Sequence, residues 1–130
     1  MNLEEKIAML KEAKVIDSTE LFARVQIIYS EFAQTVNIMV GTSYGSQGRD
    51  GYLGVCENHL VLFENSLFGG KPKTEVFREP IEQVEFVSLK KSLFNIGKVL
   101  RVKIGGKKYK MTASPKHKVN LARIAELLHK

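Results

Sequence analysis

Apolar positions along this chain change period twice. Leu3, Ile7 and Leu10 recur at helical spacing with Glu4, Glu5, Lys6 and Lys11 between them, which predicts a short amphipathic helix over Leu3–Ala13. Val15–Asp17 interrupts it, and Ser18 is a good cap for a second helix. Leu21, Val25, Ile28 and Phe32 then form a stripe at i, i+4, i+7 and i+11, which predicts a helix from Thr19 to Gln34. The β-branched residues in that stretch leave a strand over Phe22–Tyr29 as the alternative.

Near Val36 the period becomes two. Val36–Tyr44 is apolar and β-prone, and Gly45–Gly51 follows as a loop. Tyr52–Cys56 and Leu60–Glu64 read as strands around a tight turn in which Asn58 tolerates positive φ. Asn65–Lys73 carries Gly69, Gly70 and Pro72 and reads as a turn, Thr74–Arg78 as a strand stopped by Pro80, and Gln83–Leu89 as another strand. After a turn at Ser92–Gly97 the alternation is clearest: Leu100, Val102 and Ile104 share one face, Arg101 and Lys103 the other. Gly105-Gly106 is a two-residue hairpin signal leading into Lys107–Thr112, where Tyr109 and Met111 alternate with Lys108 and Lys110. The helical period returns after Ser114 and Pro115, with Leu121, Ile124, Ala125 and Leu128 as its stripe.

About seven short strands cannot stand as a flat sheet with bare edges; they curl into a barrel or split into packed sheets. The expected fold is therefore α+β: an antiparallel barrel or sandwich with a C-terminal helix against it, preceded by two N-terminal helices. The expected organisation is a helical extension over residues 1–35 and a compact unit over 36–130.

Gly54-Val55-Cys56-Glu57-Asn58-His59-Leu60-Val61-Leu62-Phe63 resembles the strand–turn–strand core of bacterial PH-like and GRAM-like domains. Ile81-Glu82-Gln83-Val84 is similar to the entry to that family's fifth strand, and Leu93-Phe94-Asn95-Ile96-Gly97 before Leu100–Ile104 is similar to its glycine-containing turn and next strand. The resemblance spans Val36–Lys130 and departs at Cys56, where the family usually has threonine, and at His59, where it usually has a basic residue. It implies a PH-like fold used as an interaction module. Where such domains hold phosphoinositides, basic residues cluster in the first inter-strand loop; here Gly45–Gly51 offers only Arg49 beside Asp50, so a specific inositol-phosphate site is not expected.

Composition and charge sharpen this picture. With 130 residues and a single cysteine, the chain can build one core and no internal disulfide. Met1–Lys14 is charged and helix-patterned rather than an apolar leader, and no stretch approaches the roughly 18 apolar residues that span a bilayer, so a cytoplasmic protein is expected. The net charge is +6, unevenly spread: residues 1–70 hold five Lys/Arg against nine Asp/Glu, residues 71–130 fifteen against five.

Catalytic chemistry finds little support. The glycines at 41, 45 and 48 do not make G-x-G-x-x-G, and Gly70-Lys71-Pro72 fails as a phosphate loop. Cys56 reads as a buried strand residue, and His59, His117 and His129 lack metal-ligand spacing. No enzyme activity, metal or cofactor is expected. The remaining candidates are cations: Lys90, Lys91, Lys98, Arg101, Lys103, Lys108 and Lys110, with Lys107 beside them, form a candidate polyanion-binding face. Two functions follow. One is an interaction module that binds a protein partner or itself, with the N-terminal helices as a self-association surface. The other is nonspecific binding of anionic lipid or nucleic acid through the basic strands. Tyr109 and Phe94 are the only local aromatics, fewer than base stacking would use.

Overall fold

The structure, a computed structural model, describes residues 2–28, 49–67, 70–91 and 97–129. Its elements run in the order α1 (Leu3–Glu12), β1 (Phe22–Ile28), β2 (Arg49–Cys56), β3 (His59–Asn65), β4 (Pro72–Pro80), β5 (Glu85–Lys91), β6 (Lys98–Ile104), β7 (Lys107–Ala113) and α2 (Lys118–Leu128). Helix α1 is capped by Asn2, whose side chain accepts a hydrogen bond from the Glu5 N–H at 2.8 Å. Helix α2 is preceded by a 3-10 turn at Pro115–His117, so Pro115 opens the helical segment but regular α-helix starts three residues later.

Among the described residues one N-terminal helix is seen, not two. Residues 22–28 are a strand, and residues 29–34 of the expected helix, with Phe32, lie outside the described residues, as does Val36–Tyr44. The stripe Leu21, Val25, Ile28 is compatible with helix, but Ala23, Val25 and Ile27 also alternate, and this second period wins because both edges of the strand find partners. β1 pairs with β2 on one side and β7 on the other, both antiparallel. Arg49 and Asp50, expected in a loop, lie in β2 opposite Ile27 and Gln26. Both tight turns were foreseen: Glu57 and Asn58 have φ of 51° and 62°, Gly105 and Gly106 of 58° and 84°.

The seven antiparallel strands form one sheet in the order β4-β3-β2-β1-β7-β6-β5. The sheet curls strongly. β4 and β7 are four strand steps apart, about 19 Å in a flat sheet, yet the rings of Phe77 on β4 and Tyr109 on β7 meet edge to face with centroids 4.9 Å apart. The concave interior gathers Val25, Ile27, Leu53, Leu60, Leu62, Leu100, Val102 and Met111, and α2 seals it with Leu121, Ile124, Ala125 and Leu128. Asn120 of α2 donates to the Phe22 carbonyl at 3.0 Å, tying the helix to β1.

A second apolar cluster forms on the outer face of the sheet. Leu10 of α1 and Val15 and Ile16 of the following linker pack on Phe22, Tyr52, Cys56 and Val61. β2 is therefore buried on both faces from Gly51 to Cys56. The linker is pinned by Asp17, whose carboxylate accepts from the Thr19 N–H and hydroxyl at 3.0 and 2.6 Å and from the Glu57 N–H at 2.9 Å in the β2–β3 turn. These bonds, led by the Thr19 hydroxyl, hold the Asp17 carboxyl below its ordinary range.

Candidate polyanion-binding face

Strand parity decides where each cation stands. Leu100 and Val102 on β6 face the concave interior, as do Tyr109 and Met111 on β7. Arg101, Lys103, Lys108 and Lys110 therefore share the outer face. The Gly105-Gly106 hairpin sets the register, so Arg101 stands directly opposite Lys110 and Lys103 opposite Lys108. On the neighbouring β5, Lys90 lies opposite Val99 on this same face, Ser88 opposite Arg101, and Glu85 opposite Lys103.

Lys91 and Lys98 do not join them. They pair with each other at the end of the β5–β6 ladder, on the parity of Leu89 and Leu100. Lys107 also has inward parity, with its Nζ 5.3 Å from the Tyr109 ring centroid. The structure thus brings five of the seven candidates, Lys90, Arg101, Lys103, Lys108 and Lys110, onto one face.

Two features give that face character. Helix α1 covers the outer face over β1–β3, whereas over β5–β7 the described residues leave a groove of about 570 Å³ between Arg101, Lys103, Lys108 and Lys110, with Lys107 also on its lining and Ile28 and Val87 contributing apolar surface. Glu85, opposite Lys103, is the one acidic residue placed across from these cations among the described strands, and none of the cations is in the ion pairs of the described residues, which are Lys11–Glu20, Arg24–Asp50 and Glu75–Arg78. Like charges directly opposite on a sheet are destabilising, so Arg101/Lys110 and Lys103/Lys108 form a repulsive set on an otherwise well-packed sheet.

Sequence reasoning missed a second cationic cluster around β1. Arg24 forms a bidentate pair with Asp50, Nε to Oδ1 at 3.0 Å and Nη2 to Oδ2 at 2.6 Å, and Asn65 donates its Nδ2 to Asp50 Oδ2 at 3.1 Å. Partial burial works to raise the Asp50 pKa, but the Arg24 and Asn65 hydrogen bonds outweigh it and the carboxyl sits below its ordinary value. The Asp50 bond likewise raises the Arg24 pKa. Beside this pair, Lys6, Lys116 and His117 line a separate cleft of about 390 Å³. No spacing rule joins positions 6, 24, 116 and 117; only the fold does.

The groups weighed for catalysis sit apart. Cys56 is buried in the cluster under α1. The Nδ1 of His59 lies 2.8 Å from the Glu57 carbonyl oxygen, and the His129 ring packs on Phe86 with centroids 5.2 Å apart. Among the described residues no three His, Cys, Asp or Glu side chains converge as metal ligands, and no helix is long and apolar enough to cross a membrane. Comparison with protein-family models, with curated proteins and with solved structures finds no match to this chain.

Proposed function

We propose that this chain is a non-enzymatic PH-like binding module that holds a polyanion on the outer face of β5–β7. The seven-strand order, with β1 joining the β2–β4 and β5–β7 meanders and a helix after the last strand, supports the PH-like reading. The observation that carries the function is the pair of opposed like charges, Arg101/Lys110 and Lys103/Lys108, flanking the groove. Between β6 and β7 no acidic residue stands across from these cations, Glu85 on β5 meeting only Lys103 from the other side, and a row of phosphates or carboxylates would relieve the remaining repulsion.

A second reading, a protein partner or a second copy of the chain, draws support from β5. Among the described strands it ends the sheet with one edge unpaired, and Val87 on it is exposed. Self-association through α1 draws less, because Leu10 is already covered by the chain's own sheet.

Sedimentation with anionic vesicles and a gel shift with single-stranded RNA at low salt test the first reading. Five phosphate contacts would give a log–log salt slope near −3.5 on single-stranded RNA, at roughly −0.7 per contact. Lys90→Glu with Arg101→Glu should abolish retention while the fold persists, since exposed charges add little stability. An unchanged chain that binds neither probe rejects the polyanion and leaves the edge-strand partner.

A further inference from the structure

The cleft beside Arg24 lies where three separate parts of the chain meet. Lys6 comes from α1, Arg24 from β1, and Lys116 and His117 from the turn before α2; Thr112 and Ser114 add hydroxyls. Its volume of about 390 Å³ falls at the small end of ligand pockets, which run about 300–1,000 Å³. Three permanent cations face one carboxylate, Asp50, and that carboxylate is already bonded to Arg24 and Asn65. Arg24 gives Asp50 its Nε and Nη2, leaving Nη1 without a partner among the described residues.

We propose that this cleft is a binding site for a single phosphate group, a phosphomonoester or inorganic phosphate, held by Lys6, Lys116 and the free edge of Arg24 with Thr112 and Ser114 as hydroxyl donors. The site is distinct from the groove over β5–β7, which recognises charge in a row. Here positive charge converges on one point and hydroxyls accompany it, the combination that suits a compact anion with several acceptor oxygens.

The residues of the cleft also predict how binding is felt. His117 is surrounded by Lys6 of α1, Arg24 of β1 and its neighbour Lys116, with Asp50 of β2 on the same cleft. Burial first, and then these three cations, hold its imidazole below the ordinary histidine value. An anion seated among the cations offsets their field, so the His117 pKa rises when the site fills, and binding and protonation assist each other.

The test is an NMR titration of the full chain with inorganic phosphate at constant ionic strength, reading backbone amides and the His117 ring. The proposal expects saturating shifts at Thr112, Ser114 and His117 and an upward move of the His117 pKa. Lys6→Ala and Lys116→Ala should each weaken binding about tenfold, the loss that follows removal of one charge-assisted hydrogen bond. Lys116 is exposed and Lys6 half-buried, and neither belongs to an apolar cluster, so both variants should fold; Arg24 is left intact because it anchors Asp50. Phosphatidylcholine vesicles with and without phosphatidic acid separate the two sources. Retention on phosphatidic acid that Lys6→Ala lowers makes the phosphate a lipid headgroup; phosphate binding without such retention makes it soluble. Shifts that never saturate, a His117 pKa unmoved by phosphate, or unchanged affinity in both alanine variants overturns the site.

Discussion

Gly54 lies under the α1–β1 linker, and a methyl group there would have no room. A Cβ at Gly54 would stand 2.5 Å from the Val15 carbonyl oxygen and 2.8 Å from the Cγ atoms of Val15 and Ile16. Backbone cannot rotate aside as a side-chain end can, so Gly54→Ala should destabilise the fold by about 1–3 kcal/mol. Urea unfolding checks this as a lower midpoint with an unchanged slope. At the same scale, Asp17 and Asp50 predict the acid limb of stability. Both carboxyls are held below the ordinary value of 3.8 in the folded chain. The unfolded chain therefore takes up protons first as pH falls, so the stability they give is complete above about pH 5 and is lost as pH drops through the depressed values. Asp17→Asn and Asp50→Asn should each flatten the fall in urea midpoint between about pH 5 and pH 2. His117 acts in the same sense at higher pH, by a penalty on its charged form rather than a gain on it. Its pKa is lowered as a base, so the anion-free fold loses stability below the ordinary histidine value near 6.5, a loss His117→Gln should remove.

Among the elements, the hairpins and α2 were legible because local chemistry decides them. Gly105-Gly106 permits two consecutive positive φ angles, and the 3.6-residue stripe Leu121, Ile124, Ala125, Leu128 is buried as read. β1 was not legible in the same way. Val25 belongs to the helical stripe and to the strand alternation alike, and what breaks the tie is hydrogen bonding to β2 and β7, 26 and more than 80 residues away. The outer cluster was hidden for a related reason: β2 and β3 show no clean alternation because α1 and the linker bury their second face. That makes α1 part of the packed fold. Leu10 is fully buried, so Leu10→Ala should cost about 2–5 kcal/mol, the range for a large-to-small change in a core. Thermal or urea unfolding would show it; a loss under about 0.5 kcal/mol would mean the helix adds little to the fold.

For the molecule as a whole, the candidate face was half legible. A two-residue turn at Gly105-Gly106 fixes the β6–β7 register, so the oppositions Arg101/Lys110 and Lys103/Lys108 follow from sequence once the strands are placed. The β5–β6 register does not: a bulge between Phe86 and Ser88 shifts it and puts Lys90 rather than Lys91 on the face, whereas Lys98 is off it by its own parity with Leu100. Nor can the sequence say that α1 covers the outer sheet over β1–β3 and not over β5–β7. This arrangement separates function from stability in a single experiment. Lys108→Glu with Lys110→Glu converts both repulsive oppositions into attractive ones. Cross-strand pairs contribute roughly 0.2–1 kcal/mol each, so the double variant should be at least as stable as the parent and up to about 2 kcal/mol more so. If the face holds a polyanion, the same change removes two cations and adds two anions where the phosphates lie, and vesicle or RNA retention should vanish at low salt. A variant that gains stability and loses binding identifies the cations as kept for a ligand at a cost to the fold. A variant that gains stability and keeps full binding rules this face out as the binding site.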